Sequence, residues 1–235
     1  MADFDFKQFK IKQDRSAMKV NTDGILLGAW ADTEGKKRAL DVGCGNGLIS
    51  MMLAQRNHDL EIVGVDLDEG SCKDAGENFK ECPFSSRLEV KQIPIQEFAM
   101  QETEDFDLIV SNPPFFTGGT FSINENKANV RHTIKLSHGD LINSVNRLLS
   151  PKGEFVCILP DMEGIRFIEL ADRARLILNH KCTVYSRDHL PAERLLLSFK
   201  RIRPVKVEES KIVIHKGDSN LYSDDYKKLT GDFYL

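Results

Sequence analysis

Apolar and polar residues follow two rhythms along this chain, and the two alternate. Short apolar runs over residues 38–42, 61–65, 88–92, 106–110 and 154–159, bounded by Gly, Pro, Asn or Asp, predict strands. Helical spacing fills the intervals over 48–55, 68–80, 137–149 and 162–177, with Leu141, Val145 and Leu148 on one face of the third. Upstream, Asp23 is the expected N-cap of a short helix through Leu27 and Trp30 that Gly35 ends. Downstream, 183–186 and 195–200 predict two last strands, and 204–218 a further strand or a tail. This alternation predicts an α/β fold, a doubly wound, Rossmann-like, seven-stranded and mostly parallel sheet with helices on both faces. The expected organisation is an arm and lid helix over 1–35 followed by a main domain over 36–235, together one globular unit.

Composition narrows this picture in three ways. The 235 residues are 41% hydrophobic, enough for a sizeable core. No apolar run approaches the roughly 18 residues that cross a bilayer, and residues 1–5 show neither a basic nor an apolar leader region, so a cytoplasmic, non-membrane protein is expected. Cys44, Cys72, Cys82, Cys157 and Cys182 have no C-x-x-C spacing, and the histidines have no ligand spacing, so neither disulfides nor a metal is expected.

A net charge of −4 argues against a protein that coats nucleic acid nonspecifically. The average conceals a basic cluster, Lys7, Lys10, Lys12, Arg15 and Lys19, near the N-terminus. Such a cluster is either a solvated surface or a phosphate contact. A monomer is the default expectation, with oligomeric state left open.

The stretch Asp41-Val42-Gly43-Cys44-Gly45-Asn46-Gly47 follows the first main-domain strand and opens a helix. Alternate glycines let a backbone approach a ligand closely. The spacing departs from the dinucleotide fingerprint, because the third glycine position falls on Leu48 or Ser50, and the lysine and Ser/Thr of a P-loop are missing. Asp66, at the end of the second strand, can accept from both hydroxyls of a ribose. A nucleoside without a polyphosphate is the expected ligand.

Ser111-Asn112-Pro113-Pro114-Phe115 ends the strand over 106–110. Asn112 precedes a proline, which pushes its backbone to an extended conformation, while Pro113 and Pro114 lack N–H groups. The Asn112 amide oxygen and a nearby carbonyl can accept hydrogen bonds from an amino group on a planar ring stacked on Phe115. The segment is also a common turn sequence. The long irregular stretch over 112–136, with Gly118-Gly119 and polar Asn124, Asn126, Asn129, Arg131 and His132, is expected to face substrate.

Taken jointly, the glycine loop, Asp66 and Asn112-Pro113-Pro114-Phe115 resemble the class I S-adenosylmethionine-dependent methyltransferases that methylate amino nitrogens. Segments across nearly the whole chain, among them Phe6-Lys7-Gln8-Phe9, residues 22–30, Arg131-His132, Leu190-Pro191-Ala192-Glu193-Arg194 and Asp232-Phe233-Tyr234-Leu235, are similar to the bacterial valine-tRNA adenine-37 N6-methyltransferase family. The resemblance implies S-adenosylmethionine as cofactor, held by Thr22, Asp23, Asp41, Gly43, Cys44, Gly45, Gly47, Asp66, Leu67, Ile95 and Asn112. It implies Asn112, Pro113, Pro114 and Phe115 as the catalytic grip on adenine. The tRNA anticodon loop becomes the expected partner, contacted by Lys7, Lys10, Lys12, Arg15, Lys19, Arg131 and His132. Pro94 departs from the acid that many methyltransferases place near the cofactor's adenine, which leaves that ring to main chain around Ile95 or to Gln96. Guanine-N2 methyltransferases of ribosomal RNA and glutamine-N5 methyltransferases share the Asn-Pro-Pro segment, and a noncatalytic RNA-binding protein is the reading from another class.

Overall fold

The computed structural model describes residues 3–113 and 136–234. A short pairing of β1 (Phe4–Asp5) with β2 (Lys10–Ile11) begins the chain, followed by α1 (Thr22–Trp30). The succession β3 (Arg38–Val42), α2 (Leu48–Arg56), β4 (Glu61–Asp66), α3 (Glu69–Glu81), β5 (Leu88–Gln92), α4 (Ile95–Gln101) and β6 (Phe106–Ser111) builds one half of the fold. The other half is α5 (His138–Leu148), β7 (Leu149–Pro160), α6 (Asp161–Arg173), β8 (Ile177–Tyr185), β9 (Ala192–Lys200), β10 (Glu208–Val213) and α7 (Asp224–Thr230).

The main sheet has the order β10-β8-β9-β7-β6-β3-β4-β5, with only β9 antiparallel to its neighbours. Strand order reverses at β3, which lies between β4 and β6, so a crevice opens beyond the C-terminal ends of these strands. Successive side chains of each strand serve opposite faces. Ala39 and Ile62 join one core with α1, α2, the arm residues Phe6, Phe9 and Ile11, and Tyr226 and Phe233. Leu40, Val42, Val63 and Val65 join the second core, with Phe98, Leu141, Phe155, Phe167 and Phe199.

Several details depart from the sequence expectations. Eight strands replace seven, because β10 pairs in parallel with the edge of β8; Ile212 is its one fully buried side chain, too little for a recognisable alternation. Asn21, not Asp23, caps α1, its side chain accepting from the Gly24 N–H at 2.9 Å, and the helix stops at Trp30, short of Gly35. α6 stops at Arg173, and Arg175 in a left-handed conformation (φ 62°) turns the chain into β8 sooner than expected. β7 begins at Leu149 and runs through Pro151-Lys152-Gly153, ahead of the strand expected over 154–159, with a register shift against β6 absorbed there. A Cβ on Gly153 would meet the Phe106 carbonyl oxygen at 2.8 Å, so only glycine permits that approach.

Candidate functional site

The glycine loop emerges from β3 at the crevice, with Gly43, Gly45 and Gly47 at φ 72°, 56° and 84°. These are left-handed angles that other residues adopt only with strain. The Gly43 and Cys44 N–H groups donate to the Val65 carbonyl at 2.8 and 3.1 Å, pinning the loop to the end of β4. A Cβ added at Gly43 or Gly45 would meet nothing within 4 Å, so these two glycines face open space. At Gly47 a Cβ would lie 2.4 Å from the Phe79 ring, so here glycine serves close packing against α3. The Cys44 side chain is buried, and a Cβ on Gly64 would lie 2.9 Å from its Sγ; its main chain is what it can offer a ligand. Burial pushes that thiol well above its ordinary range.

Asp66 is set by main-chain donors. The Gly45 N–H donates to its Oδ2 and the Asp68 N–H to its Oδ1, each at 2.9 Å. Each carboxylate oxygen keeps a further acceptor site. Leu67, 46% exposed, follows it, and the Ile93 N–H donates to the Asp66 carbonyl at 3.0 Å, bringing the loop before α4 alongside. Pro94 caps α4 without a side-chain bond, and Ile95 is buried as its first residue.

Asp41 is fully buried within β3. Its Oδ2 accepts from the Ser50 N–H at 3.1 Å and the Ser50 hydroxyl at 2.7 Å, while Oδ1 has no partner among the described residues. Burial, with a smaller contribution from the nearby Asp66 charge, pushes its carboxyl up to about 7.

Across the crevice, the Ser111 hydroxyl donates to the Val42 carbonyl at 2.9 Å and ties the end of β6 to the start of the glycine loop. Asn112 follows directly, with its Oδ1 buried and unpartnered among the described residues, and Pro113 is buried beside it. Pro114, Phe115, Arg131 and His132 lie outside the described residues.

Thr22 is exposed at the start of α1, and Asp23 accepts from Arg194 Nε at 2.8 Å. Arg194 stands opposite Pro160, so the pair bridges α1 to the rim of β7 and β9.

The basic arm residues are engaged within the protein. Lys7 donates to the Gly231 carbonyl at 2.6 Å, Lys10 pairs with Asp5 at 3.2 Å, and Lys12 pairs with Glu81 at 2.5 Å. Arg15 pairs with Glu77 at 2.7 Å, and Lys19 donates to the Gln13 and Ser16 carbonyls. A cavity of about 890 Å³ lined by Lys7, Asp32, Gln55, Arg56 and Asp232 lies beside the loops leading into β3 and β4. It contains no glycine-loop residue, neither Asp66 nor Asn112, and sits at the opposite end of those strands.

Sequence reasoning missed Asn21, Asp74 and Asn78, and named Ser111 within its segment without its bond to Val42. The buried stripe of α3, Ser71, Asp74, Ala75, Asn78 and Phe79, has helical spacing but mixes polar with apolar residues, so hydrophobicity does not reveal it. No group of three or more His, Cys, Asp or Glu suited to a metal occurs among the described residues. None of their helices is long and apolar enough to cross a membrane.

The crevice thus brings the glycine loop, Asp66 and the Asn112 amide to neighbouring strand ends. Residues 16–166 match the methyltransferase small domain family. A Serratia proteamaculans protein named tRNA1(Val) (adenine(37)-N6)-methyltransferase is 40% identical, covering 99% of this chain and 89% of its own length. A Dyadobacter fermentans protein of the same name is 38% identical over 100% and 98%. Among solved structures, a predicted O-methyltransferase of Agrobacterium tumefaciens superposes with a TM-score of 0.68 at 18% identity, covering 90% of this chain and 96% of its own. A putative RNA methyltransferase of Pyrococcus horikoshii gives 0.53 at 19%, covering 76% and 81%. At that identity the two structures speak for the fold, whereas the family match and near full-length identity carry the assignment: the chain belongs to the methyltransferase small domain family, in the group of the tRNA1(Val) (adenine(37)-N6)-methyltransferases.

Proposed function

We propose that this protein transfers a methyl group from S-adenosylmethionine to the exocyclic N6 of adenine 37 in the anticodon loop of valine tRNA. The observation that carries the reading is the buried Asn112 Oδ1, without a partner among the described residues and set beside the glycine loop by the Ser111 hydroxyl. A buried acceptor without a donor is costly, and an amino group supplies that donor. The names of the relatives narrow the amino group to tRNA adenine.

The residues present fit the cofactor. Main chain at Gly43 and Gly45, with open space beside each, would hold its methionine side, and Asp66 would accept from the ribose hydroxyls. Leu67 and main chain around Ile95 would flank the adenine, and Asp41 would set the local charge. When bound, S-adenosylmethionine supplies an electrophilic methyl on its sulfonium.

N6 of adenine is a weak nucleophile, because its lone pair is delocalised into the ring. Asn112 Oδ1 and a main-chain carbonyl at Pro113 would accept from its two N–H bonds, pyramidalise the nitrogen and turn the lone pair outward. The glycine loop and Asp66 would hold the cofactor with its methyl presented to the nitrogen that Asn112 and Pro113 orient, and the N6 proton, acidic once the nitrogen is alkylated, would pass to water without a strong base. Positioning of this kind supplies up to about 7–11 kcal/mol. Phe115 is assigned the stacking face for the unstacked base, which is worth about 1–3 kcal/mol.

The direct test is transfer of labelled methyl to unmodified total tRNA, followed by nucleoside analysis. N6-methyladenosine is the expected product. N2-methylguanosine or labelled protein would replace the reading. Asp66→Ala is expected to weaken S-adenosylmethionine binding about twentyfold by isothermal titration, about 1.8 kcal/mol, the net worth of roughly one charge-assisted hydrogen bond. An unchanged affinity removes Asp66 from the site. The arm cations are proposed to contact RNA phosphates in exchange for their present partners, and Arg131 and His132 are proposed to join them. Simultaneous charge reversal of Lys7, Lys10 and Lys12 is expected to lower tRNA affinity about tenfold at low salt, with a shallower salt slope; unchanged affinity would refute the contact.

A further inference from the structure

We propose that Asn78 is a positioning residue that makes cofactor binding and ordering of the N-terminal arm a single event, an inference that rests on the cofactor reading above. Asn78 is buried on α3, and its amide is fully engaged in two directions. Its Oδ1 accepts from the Lys12 N–H at 2.8 Å. Its Nδ2 donates to the Lys12 carbonyl and to the Asn46 carbonyl, each at 2.9 Å. One side chain therefore bonds both main-chain polar groups of an arm residue and the carbonyl between Gly45 and Gly47.

The arm beyond Lys12 is folded against the same helix. Asp74, one turn before Asn78, accepts from the Arg15 N–H at 2.9 Å, the Ser16 N–H at 2.8 Å and the Ser16 hydroxyl at 2.8 Å. Gln13 Oε1 accepts from the Val20 N–H at 2.8 Å, and Lys19 draws the Gln13 and Ser16 carbonyls together, closing residues 13–20 into a compact loop. A Cβ on Gly70 would lie 2.8 Å from the Arg15 carbonyl oxygen, so this loop rests on the first turn of α3, just after Asp66. The arm thus reaches both ends of the cradle: the glycine loop through Asn78 and the ribose carboxylate through the first turn of α3. The Asn46 bond is the joint, because it carries these arm contacts into the loop that the cofactor would touch. A ligand that fixes the loop therefore favours the closed arm, and a closed arm favours the ligand, by the same factor.

Asn78→Ala removes the joint. Titration with S-adenosylmethionine is expected to give about a tenfold higher Kd, while kcat at saturating cofactor stays within about threefold of the parent. Tryptic cleavage after Lys12 and Arg15 should be slowed by cofactor in the parent chain and be indifferent to it in the variant. An Asn78→Ala protein that binds cofactor as the parent does, or whose kcat falls at unchanged Kd, would overturn the proposal. Should that variant fail to fold, Asp74→Asn, which weakens the arm's anchor and leaves Asn46 untouched, is expected to speed arm cleavage and raise Kd several-fold. Faster cleavage at unchanged Kd would equally refute the coupling. If the parent chain itself binds no S-adenosylmethionine, the cofactor reading fails, which is a separate result from the loss of coupling.

Discussion

Replacing Asn112 by Ala is expected to lower kcat for tRNA methylation about a thousandfold, roughly 4 kcal/mol of transition-state stabilisation, while the Kd for S-adenosylmethionine stays within about threefold. The asymmetry follows from where Asn112 stands. It extends from β6, whereas the cradle is built on β3 and β4, and the Ser111 bond to the Val42 carbonyl that joins the two sides survives the substitution. On the proposed reading, what the variant chiefly loses is the acceptor for the amino group being methylated, so the loss falls mainly on the chemical step. Removal of a single oriented hydrogen-bonding group at a reacting centre commonly costs about a hundred- to a thousandfold. The Asn112→Asp variant sharpens the test. It restores an acceptor of similar reach but adds a charge, so partial recovery is expected where Ala gives almost none. Near-parental turnover in Asn112→Ala would remove the residue from the acceptor site.

The segments of the candidate site stood out in the sequence because each is announced over a few adjacent residues. Asp41 through Gly47, Asp66 and Asn112 each close an apolar strand, and β3, β4, β5 and β6 stand within a residue or so of their expected bounds. Sheet order then brings the three strand ends together, which no local pattern reveals. Support residues were not legible, for a common physical reason. Asn78 bonds a backbone 66 positions away, Asp74 one 58 or 59 positions away, and Ser111 a carbonyl 69 positions away. Main-chain atoms have no residue type to match, and a buried Asp or Asn on a helix reads in sequence as part of a solvated face. The basic arm illustrates the converse. Its charge was plain, but that Lys12 and Arg15 stand against Glu81 and Glu77 is a matter of tertiary placement.

Asp41→Asn is expected to stabilise the cofactor-free protein at pH 8 and to weaken its grip on S-adenosylmethionine. Buried with one unpartnered oxygen, the Asp41 carboxyl is pushed up to about 7 from an ordinary value of 3.8. Between these values the folded chain holds a proton that the unfolded chain has released, so stability declines as pH rises from about 4 to 7. Below that window the group makes no difference. Above it the full penalty applies, at most about 4 kcal/mol at 1.36 kcal/mol per unit. An amide at position 41 carries no charge to desolvate, but its Nδ2 would occupy the place of the unpartnered oxygen, which returns about 1–2 kcal/mol of the gain. The expected result is a net stabilisation of about 2 kcal/mol at pH 8, read by denaturant unfolding, that crosses zero at about pH 5 and turns into a destabilisation of about 1–2 kcal/mol near pH 4. The cofactor carries positive charge on its sulfonium, and a cation near Asp41 favours the carboxylate and lowers its pKa. Binding below pH 7 therefore releases a proton, and Kd should fall as pH rises from 5.5 to 7.5 in the parent chain. In Asp41→Asn the dependence should flatten and the pH 7.5 affinity drop about tenfold. A parent Kd that is flat across this window, or a variant less stable than the parent at pH 8, would show that the strain at Asp41 is not held for the cofactor.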